Sequence, residues 1–103
     1  MVKFLRTVRV AGCWSNMGPT LAVVPRFVER IRSWPGVLEC TASMSMTGPT
    51  AVIYFMTACA DMGALETALA HSASDTEYLA LHRQHDDLFD WSSMHDILLT
   101  EIA

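Results

Sequence analysis

Two histidines, His82 and His85, lie in the apolar stripe of a predicted helix, where histidine is an unusual residue. On a helical wheel the rest of this stripe consists of Tyr78, Leu81, Leu88 and Phe89. A neutral imidazole accepts a proton near physiological pH, so either ring is a candidate general base or proton shuttle. The alternative is a histidine that is hydrogen-bonded in the core or at an interface. Both interpretations stay open on the sequence alone.

The sequence has no convincing metal-binding or disulfide pattern. Histidines at i and i+3 followed by Asp86 are weak evidence for a metal, because no third ligand of recognisable spacing accompanies them. The three cysteines, Cys13, Cys40 and Cys59, are odd in number and have neither metal-binding nor disulfide spacing. We therefore expect no metal, no disulfide and no cofactor. Reduced thiols of this kind are typical of a cytoplasmic protein.

Arg6 interrupts the apolar face of the first predicted strand, which it shares with Phe4 and Val8. A buried arginine needs an anion, and two sources of this anion are open. The arginine binds the carboxylate or enolate of a ligand, or it pairs with Asp96 or Glu101 of a neighbouring strand. In the first case Arg6 is a ligand-binding residue.

Aromatic and thioether side chains are further candidates for contact with a ligand. Tyr54 and Tyr78 are predicted to contact it, although Tyr54 equally fills the core if its hydroxyl is satisfied. Trp14 lies in a long loop with glycine and proline and is another ligand-binding candidate. A second group suits either a planar aromatic ligand or an apolar dimer interface: Met44, Met46, Met56 and Trp91.

The charge and hydropathy of the chain exclude several classes of partner. The net charge is −4 and no cluster of lysine and arginine is present, so no nucleic acid is expected as a partner. An acidic membrane surface is disfavoured for the same reason, and no apolar run is long enough to cross a bilayer. Charges at positions 3, 6 and 9 make the start unlike a signal peptide. These features favour a cytoplasmic protein with no membrane partner.

The hydrophobic periodicity predicts the element order β-α-β-β-α-β. Strands are predicted at residues 2–10, 38–46, 51–58 and about 94–102, with a turn at 47–50. Helices are predicted at residues 21–34 and 61–70, and a restarted helix at 76–87. Ser74 and Glu77 have capping-box spacing at this restart, and Pro25 delays or bends the first helix. This order is that of the ferredoxin-like α+β unit with a four-stranded antiparallel sheet.

The chain, residues 1–103, has the length of a single domain with one modest core. The strand predicted at 51–58 is apolar on both faces, and a four-stranded sheet with two helices covers only one of these faces. The second face therefore needs a partner chain. We expect a homodimer in which two such units close one α+β barrel.

The second half of the chain resembles known proteins in sequence as well as in element order. Four stretches carry this resemblance: Gly63 to Leu69, Asp75 to Leu81, Asp87 to Phe89 and His95 to Leu99. They are similar to the helix, the short helical restart and the final strand of NIPSNAP-type and antibiotic-biosynthesis-monooxygenase-like proteins of the dimeric α+β barrel superfamily. The resemblance implies a barrel of two ferredoxin-like units with a small-molecule pocket. Monooxygenases, isomerases and cyclases are among the activities that it implies.

Two functional hypotheses follow for the cleft between sheet and helices. In the first, the cleft takes a hydrophobic or aromatic small molecule, and the protein is a cofactor-independent monooxygenase, isomerase or cyclase that works through an enolate. His82 or His85 is then the base, and Arg6 or Tyr54 stabilises the charge. In the second, the same cleft carries or senses a ligand in a non-enzymatic binding or stress-response protein. A base within hydrogen-bonding distance of the ligand favours the first hypothesis.

Overall fold

The computed structural model describes residues 1–45, 47 and 50–103 and has the predicted order of strands and helices. The strands are β1 (Val2–Val10), β2 (Val37–Met44), β3 (Val52–Cys59) and β4 (Phe89–Thr100). The helices are α1 (Met17–Arg32), α2 (Met62–Ser72) and α3 (Thr76–His85), with short 3-10 turns at Cys13–Asn16 and Asp86–Leu88. The end of the second predicted strand at Met46, and Gly48 and Pro49 of the predicted turn, lie outside the described residues.

The four strands form one antiparallel sheet in the order β2-β3-β1-β4. The even-numbered residues of β1 face the helices, and Val2, Val8 and Val10 are buried there. The alternation of residues 2–10 thus predicted both the strand and its buried face. The ferredoxin-like α+β fold is confirmed.

The opposite face of the sheet points away from the helices, and we call it the outer sheet face. The strand register aligns Ile97, Leu5 and Met56 in one apolar row, and the rows on either side combine Leu99 with Lys3 and Tyr54 with Thr7. Ile97 and Leu99 are 45% and 43% exposed. On β3, Ile53 and Phe55 point towards the helices while Tyr54 and Met56 point away. This strand is apolar on both faces, as the sequence predicted.

α1 begins at Met17, although the sequence predicted a start near Leu21. The 3-10 turn Cys13–Asn16 runs directly into the helix, so the predicted loop is shorter than expected. Pro25 lies inside α1, where the carbonyl of Leu21 loses its usual N–H donor. Both residues are exposed, so the carbonyl can be hydrated there and the helix tolerates the proline.

α3 begins at Thr76, but its N-cap is Asp75 and the predicted cap at Ser74 is wrong. The Asp75 carboxylate accepts hydrogen bonds from the backbone N–H groups of Glu77 and Tyr78 at 3.1 and 3.2 Å. The Ser74 hydroxyl donates to the carbonyl of His71 and closes the end of the preceding helix. Two adjacent capping residues are present in the sequence, and the charged one occupies the cap.

α3 ends at His85 and not at Asp87, and β4 begins at Phe89 and not near Met94. Leu88 and Phe89 therefore do not belong to the helical stripe in which the sequence placed them. Both are buried, but they are buried from the 3-10 turn and from the strand. The sequence predicted correctly that these two side chains are buried, but it assigned them to the wrong element.

The cause of this error is an irregularity in the ladder between β1 and β4. The register shifts between Thr7 and Arg9, and the Arg9 N–H donates to the hydroxyl of Ser93 at 2.9 Å. A bulge of this kind breaks the alternation of side chains along the strand. The first part of β4 is consequently out of phase with the rest, because Phe89 and Trp91 lie on the helix-facing side with odd numbers, whereas Asp96, opposite Arg6, lies there with an even number.

The core lies between the sheet and the helices, and α1 supplies its largest contribution. Its buried stripe consists of Val23, Val24, Phe27, Val28 and Ile31. α2 buries only Leu65 and Ala68, so it covers the sheet more loosely. Among the described helices, none is both long and apolar enough to span a membrane.

Candidate functional site

An apolar cleft lies between the helix-facing side of the sheet and the three helices. It encloses about 100 Å³, and one water needs only roughly 10–15 Å³ of such space, so the cleft has room for several waters or part of a small organic molecule. The strands line it with Phe4, Arg6, Val8, Phe55, Thr57, Phe89 and Trp91. The helices, and Trp34 just after α1, line it on the other side, with the helical residues Phe27, Ile31, Leu65, Ala68, Leu69, Ser72, Tyr78 and His82.

His82 lies in the wall of this cleft, one helical turn after Tyr78 on the same face of α3. Three aromatic rings surround its imidazole, with ring centroids 5.0 Å away at Phe27, 4.7 Å at Tyr78 and 5.3 Å at Trp91. None of the hydrogen bonds found among residues 1–45, 47 and 50–103 uses its ring nitrogens. The packing therefore fixes the ring while leaving its nitrogens for another partner.

The surroundings of His82 favour the neutral form of its imidazole. Burial lowers the pKa of His82, the carboxylate of Asp86 opposes this shift, and the guanidinium of Arg6 adds to it. A neutral imidazole has one nitrogen free to accept a proton. The ring is thus chemically able to act as a base towards a molecule in the cleft.

Arg6 is the cation of the cleft, and it is paired with Asp96 on the neighbouring strand. Its Nε and Nη2 donate to the two carboxylate oxygens of Asp96 at 2.8 and 2.9 Å, because the register of β1 and β4 sets these residues directly opposite. The guanidinium also lies 5.4 Å from the ring centroid of Phe4. Hydrogen bonding to Arg6 lowers the pKa of Asp96, so the carboxylate stays ionised. The sequence allowed either a ligand anion or a carboxylate of the neighbouring strand as the partner of Arg6. The structure shows the second, Asp96.

Tyr78 lies on the cleft wall in edge-to-face contact with Trp34 and Phe27, at centroid distances of 4.7 and 5.9 Å. Burial raises the pKa of Tyr78, so its hydroxyl remains protonated at neutral pH. The side chain offers a ligand both an apolar ring and a hydroxyl donor.

Solved structures share this arrangement of strands and helices. An uncharacterized NIPSNAP domain protein from Burkholderia xenovorans is 15% identical with a TM-score of 0.81, and the match covers 100% of this chain and 96% of that one. An antibiotic biosynthesis monooxygenase is 16% identical with a TM-score of 0.74 over 100% of both chains. SnoaB from Streptomyces nogalater, a cofactor-independent oxygenase whose mutant was solved, is 17% identical with a TM-score of 0.69 over 97% of this chain and 91% of its own.

This chain has the ferredoxin-like α+β fold of these proteins. No protein-family model matches the sequence, and no curated protein gives a significant match. The resemblance to NIPSNAP-type and antibiotic-biosynthesis-monooxygenase-like proteins is confirmed at the level of the fold. Because a shared fold does not determine function, the side chains that line the cleft are the basis for its function.

The ferredoxin-like unit brings only one of the two histidines to the cleft. His85 is the last residue of α3 and is not among the residues that line the cleft. Its Nε2 is buried and has no hydrogen-bond partner in the described part of the chain. Its proposed role as a base at this cleft therefore has less geometric support than that of His82.

Two predicted ligand contacts lie outside the cleft of the ferredoxin-like unit. Tyr54 lies on the outer sheet face, opposite Thr7 of β1 and Ser43 of β2. Trp14 is 65% exposed in the 3-10 turn that precedes α1. The structure brings together Arg6, Tyr78 and His82 from the predicted set and leaves these two side chains apart.

Several side chains of the cleft were not singled out from the sequence. Phe27 comes from α1, Trp34 from the turn just after it, Phe4 from β1 and Phe55 from β3. The signal was present, since Phe4 shares a face with Arg6, and Phe27 and Trp34 are seven residues apart in the helix predicted at 21–34, which places them on one side of it. What the sequence did not give was the pairing of these faces across the interior.

No cluster of three or more histidine, cysteine, aspartate or glutamate side chains that could hold a metal occurs among the described residues. Cys40 and Cys59 are buried and Cys13 is exposed. Burial raises the pKa of the Cys40 thiol, which keeps it in the protonated, unreactive form. The chemistry that remains on the cleft wall is that of His82, Arg6 and Tyr78.

Proposed function

We propose that this protein is a cytoplasmic homodimer that takes a hydrophobic or aromatic small molecule into the cleft of each subunit. The observation that carries the proposal is the composition of the cleft wall, where aromatic rings surround one neutral imidazole, one guanidinium and one phenol. Sites for small ligands are typically apolar concavities with a few convergent polar groups. His82, Arg6 and Tyr78 are these groups.

The side chains of the cleft wall are suited to abstracting a proton from a carbon next to a carbonyl group of the ligand. The free nitrogen of His82 takes the proton, and the electron pair left behind forms an enolate whose oxygen accepts a hydrogen bond from Arg6 or Tyr78. Return of the proton to another carbon gives an isomer, attack on a second carbonyl carbon gives a cyclised product, and reaction with dioxygen gives an oxygenated product. None of these routes draws on a bound cofactor.

The fold comparison supports the oxygenation route to a limited extent. SnoaB is a cofactor-independent oxygenase with the same fold, and fold alone does not transfer an activity. The support that belongs to this chain is the position of His82 on the cleft wall.

A second candidate function is non-enzymatic binding of the same class of ligand, as in a carrier or a stress-response protein. One observation favours it. A general base is commonly oriented by a third group, and no hydrogen bond to the His82 ring is found within the described residues. The cleft then holds its ligand between aromatic rings without reacting with it.

The outer sheet face supports the homodimer. Its apolar row of Ile97, Leu5 and Met56 and the adjacent Leu99 form a patch that a soluble monomer rarely leaves in contact with water. Two copies packed sheet against sheet would cover this patch with side chains at the spacing of about 10 Å that is typical of stacked sheets. The partner proposed is a second copy of this chain.

Ligand binding is tested with 2-naphthamide, a neutral bicyclic aromatic, by isothermal titration calorimetry. Leu69 lines the cleft and is 40% exposed, so Leu69→Trp should fill the cleft from α2 without disturbing the core. We expect the affinity to fall by about tenfold or more. Met62 is 42% exposed on the same helix and is not a lining residue, so Met62→Trp is the matched control. Equal affinities in both variants would place the binding outside the cleft.

Catalysis is separated from binding by deuterium exchange. The carbon between the carbonyl and the ring of 2-tetralone exchanges its protons through an enolate, and incorporation of deuterium from heavy water is followed by NMR. If His82 is a base, the protein accelerates the exchange and His82→Gln abolishes this acceleration while 2-naphthamide still binds. Binding without any acceleration in the native protein supports the carrier alternative.

The homodimer is tested by sedimentation at micromolar concentration. Ile97→Glu introduces a charge on the outer sheet face, whereas Leu21→Glu introduces one at a leucine of α1 that is 49% exposed. We expect a dimer for the native chain and for Leu21→Glu, and a shift towards monomer for Ile97→Glu. A native chain that sediments as a monomer contradicts the proposal.

A further inference from the structure

The cleft has no net charge, although it contains three titratable side chains. Arg6, Tyr78 and His82 are the titratable residues among those that line it. The phenol of Tyr78 and the imidazole of His82 are neutral at physiological pH, as argued above. The guanidinium of Arg6 is cationic, and its charge is matched by the carboxylate of Asp96.

Asp96 is not a lining residue but reaches Arg6 from the adjacent strand. Both of its carboxylate oxygens are engaged by Arg6, at 2.8 and 2.9 Å. This side-on pair uses the Nε hydrogen and one Nη2 hydrogen of the guanidinium, which has five N–H donors in all. The other three hydrogens have no acceptor among the described residues. Arg6 can thus donate hydrogen bonds to a ligand while its charge is already compensated.

This arrangement treats neutral and anionic ligands differently. A neutral carbonyl or phenol oxygen accepts the unused N–H donors of Arg6 at no electrostatic cost. A carboxylate in the same place is attracted by Arg6, and the negative charge of Asp96 on the same guanidinium offsets part of this attraction. The anion has then left water for an apolar cleft without an uncompensated cation to receive it.

We infer that Asp96 determines the specificity of the cleft, which selects uncharged aromatic molecules with a hydrogen-bond acceptor, such as ketones, amides and quinones, over anions of the same shape. This inference rests on the proposed binding function of the cleft. It is also consistent with the proposed chemistry, because transfer of a proton from a neutral ligand to His82 leaves the total charge of the cleft at zero. Asp96 acts through Arg6 and is a positioning residue in this scheme.

The test compares two ligands that differ in charge and hardly in shape, 2-naphthamide and 2-naphthoate, at constant ionic strength. For the native protein we expect the amide to bind at least about tenfold more tightly than the carboxylate. Asp96→Asn keeps a side chain of the same size and frees the charge of Arg6. We expect it to tighten naphthoate by about tenfold and to change naphthamide by no more than about twofold.

Asp87→Asn is the matched control, because Asp87 is exposed, does not line the cleft and gives the same change in net charge. We expect it to leave the ratio of the two affinities unchanged. The double variant Arg6→Gln with Asp96→Asn should lose the gain in naphthoate affinity, since no cation remains. Circular dichroism checks that each variant is folded.

Arg6→Gln alone keeps the test decisive if Asp96→Asn does not fold. It leaves Asp96 unpaired beside the cleft, so naphthoate should bind more weakly than to the native protein. The inference is overturned if Asp96→Asn and Asp87→Asn alter the ratio equally, or if Arg6→Gln leaves naphthoate binding unchanged. If the native protein binds neither compound, the proposed function of the cleft fails first.

Discussion

Two arginine–aspartate pairs lie on the helix side of this protein and differ in what surrounds the carboxylate. The shortest N···O distance is 2.7 Å in the Arg30–Asp75 pair and 2.8 Å in the Arg6–Asp96 pair. The side chain of Asp75 is 3% exposed, whereas that of Asp96 is 37% exposed. The two arginines are alike, at 31% and 32%. In exposure the two pairs therefore differ at the acidic partner, and Arg30 also has a second carboxylate, that of Glu77, at 3.1 Å.

The buried carboxylate of Asp75 accepts hydrogen bonds from four groups. Besides Arg30, it accepts from the indole N–H of Trp34 at 2.7 Å and from the backbone N–H groups of Glu77 and Tyr78. The last turn of α1, Trp34 just after this helix and the start of α3 are thereby held by one side chain. Asp96 accepts from Arg6 alone among the described side chains. The first pair connects several parts of the fold, whereas the second connects only two strands and is the one that we propose to respond to a ligand.

The largest effect is expected from removal of the buried carboxylate. Asp75→Ala leaves the Trp34 indole and two backbone N–H groups without an acceptor, and we expect a loss of about 3 kcal/mol of unfolding free energy. Urea denaturation measures it. Asp61 is the N-cap of α2 and accepts one backbone hydrogen bond at an exposed position, so Asp61→Ala should lose only about 1 kcal/mol. Equal losses in the two variants would mean that Asp75 is an ordinary cap.

The same carboxylate should also make the stability depend on pH. Burial by itself raises the pKa of Asp75, but hydrogen bonds from Trp34, Arg30 and the backbone of Tyr78 outweigh this and lower the pKa from 3.8 to about 2. A lowered carboxyl pKa stabilises the folded state above the unfolded value of 3.8, and this contribution disappears as the pH falls towards 2.

We therefore expect the stability difference between the native chain and Asp75→Asn to be large at neutral pH and to shrink between about pH 4 and pH 2. Urea midpoints measured across this range test the prediction. The corresponding difference for Asp61→Asn provides the baseline, because other carboxylates titrate in the same range. A difference for Asp75 that stays constant down to pH 2 would show that its charge is not what stabilises the fold.

A smaller effect is expected when only one donor to Asp75 is removed. Trp34→Phe keeps the aromatic packing against Tyr78 but deletes the indole N–H, and we expect a loss of about 1–2 kcal/mol. The pKa of Asp75 should rise at the same time. Trp91 donates its indole N–H to the carbonyl of Asp86 at 3.0 Å in an exposed position, so Trp91→Phe should cost less and leave that pKa unchanged. NMR titration of the Asp75 carboxyl and urea denaturation provide the two readouts.

The contrast between the pairs also shows what the sequence could and could not predict. The pattern of residues 2–10 placed Arg6 on the helix-facing side of β1, because strand alternation is a local property. It also limited the internal partner of Arg6 to Asp96 or Glu101. The choice between them depends on the register of β4, which a bulge near Ser93 shifts. No local pattern records that bulge.

The sequence could not predict the hydrogen bonds of Asp75 or the position of His85 outside the cleft, for a related reason. Asp75 lies 45 residues from Arg30 and 41 from Trp34 in the sequence, so only the packed fold brings them together. The helical wheel placed His82 and His85 in one stripe because Leu88 and Phe89 looked like the next turn of that helix. Pairing of Phe89 with Val10 draws the chain into β4 at this point, and tertiary pairing overrode the helical pattern.

The smallest effect on stability is expected at the second pair. Arg6→Gln removes a hydrogen-bonded cation whose carboxylate partner is 37% exposed, and water can solvate that carboxylate once the arginine is gone. Exposed pairs contribute little, so we expect a loss of at most about 1 kcal/mol of unfolding free energy, measured in urea. Arg30→Gln is the matched change at the buried pair and should be clearly more destabilising, because the side chain of Asp75 is only 3% exposed. If Arg6→Gln proves the more damaging of the two, the Arg6–Asp96 pair belongs to the structural framework. That result would remove the basis for the proposed selection of ligands, which requires the Arg6–Asp96 pair to act on the ligand rather than on the fold.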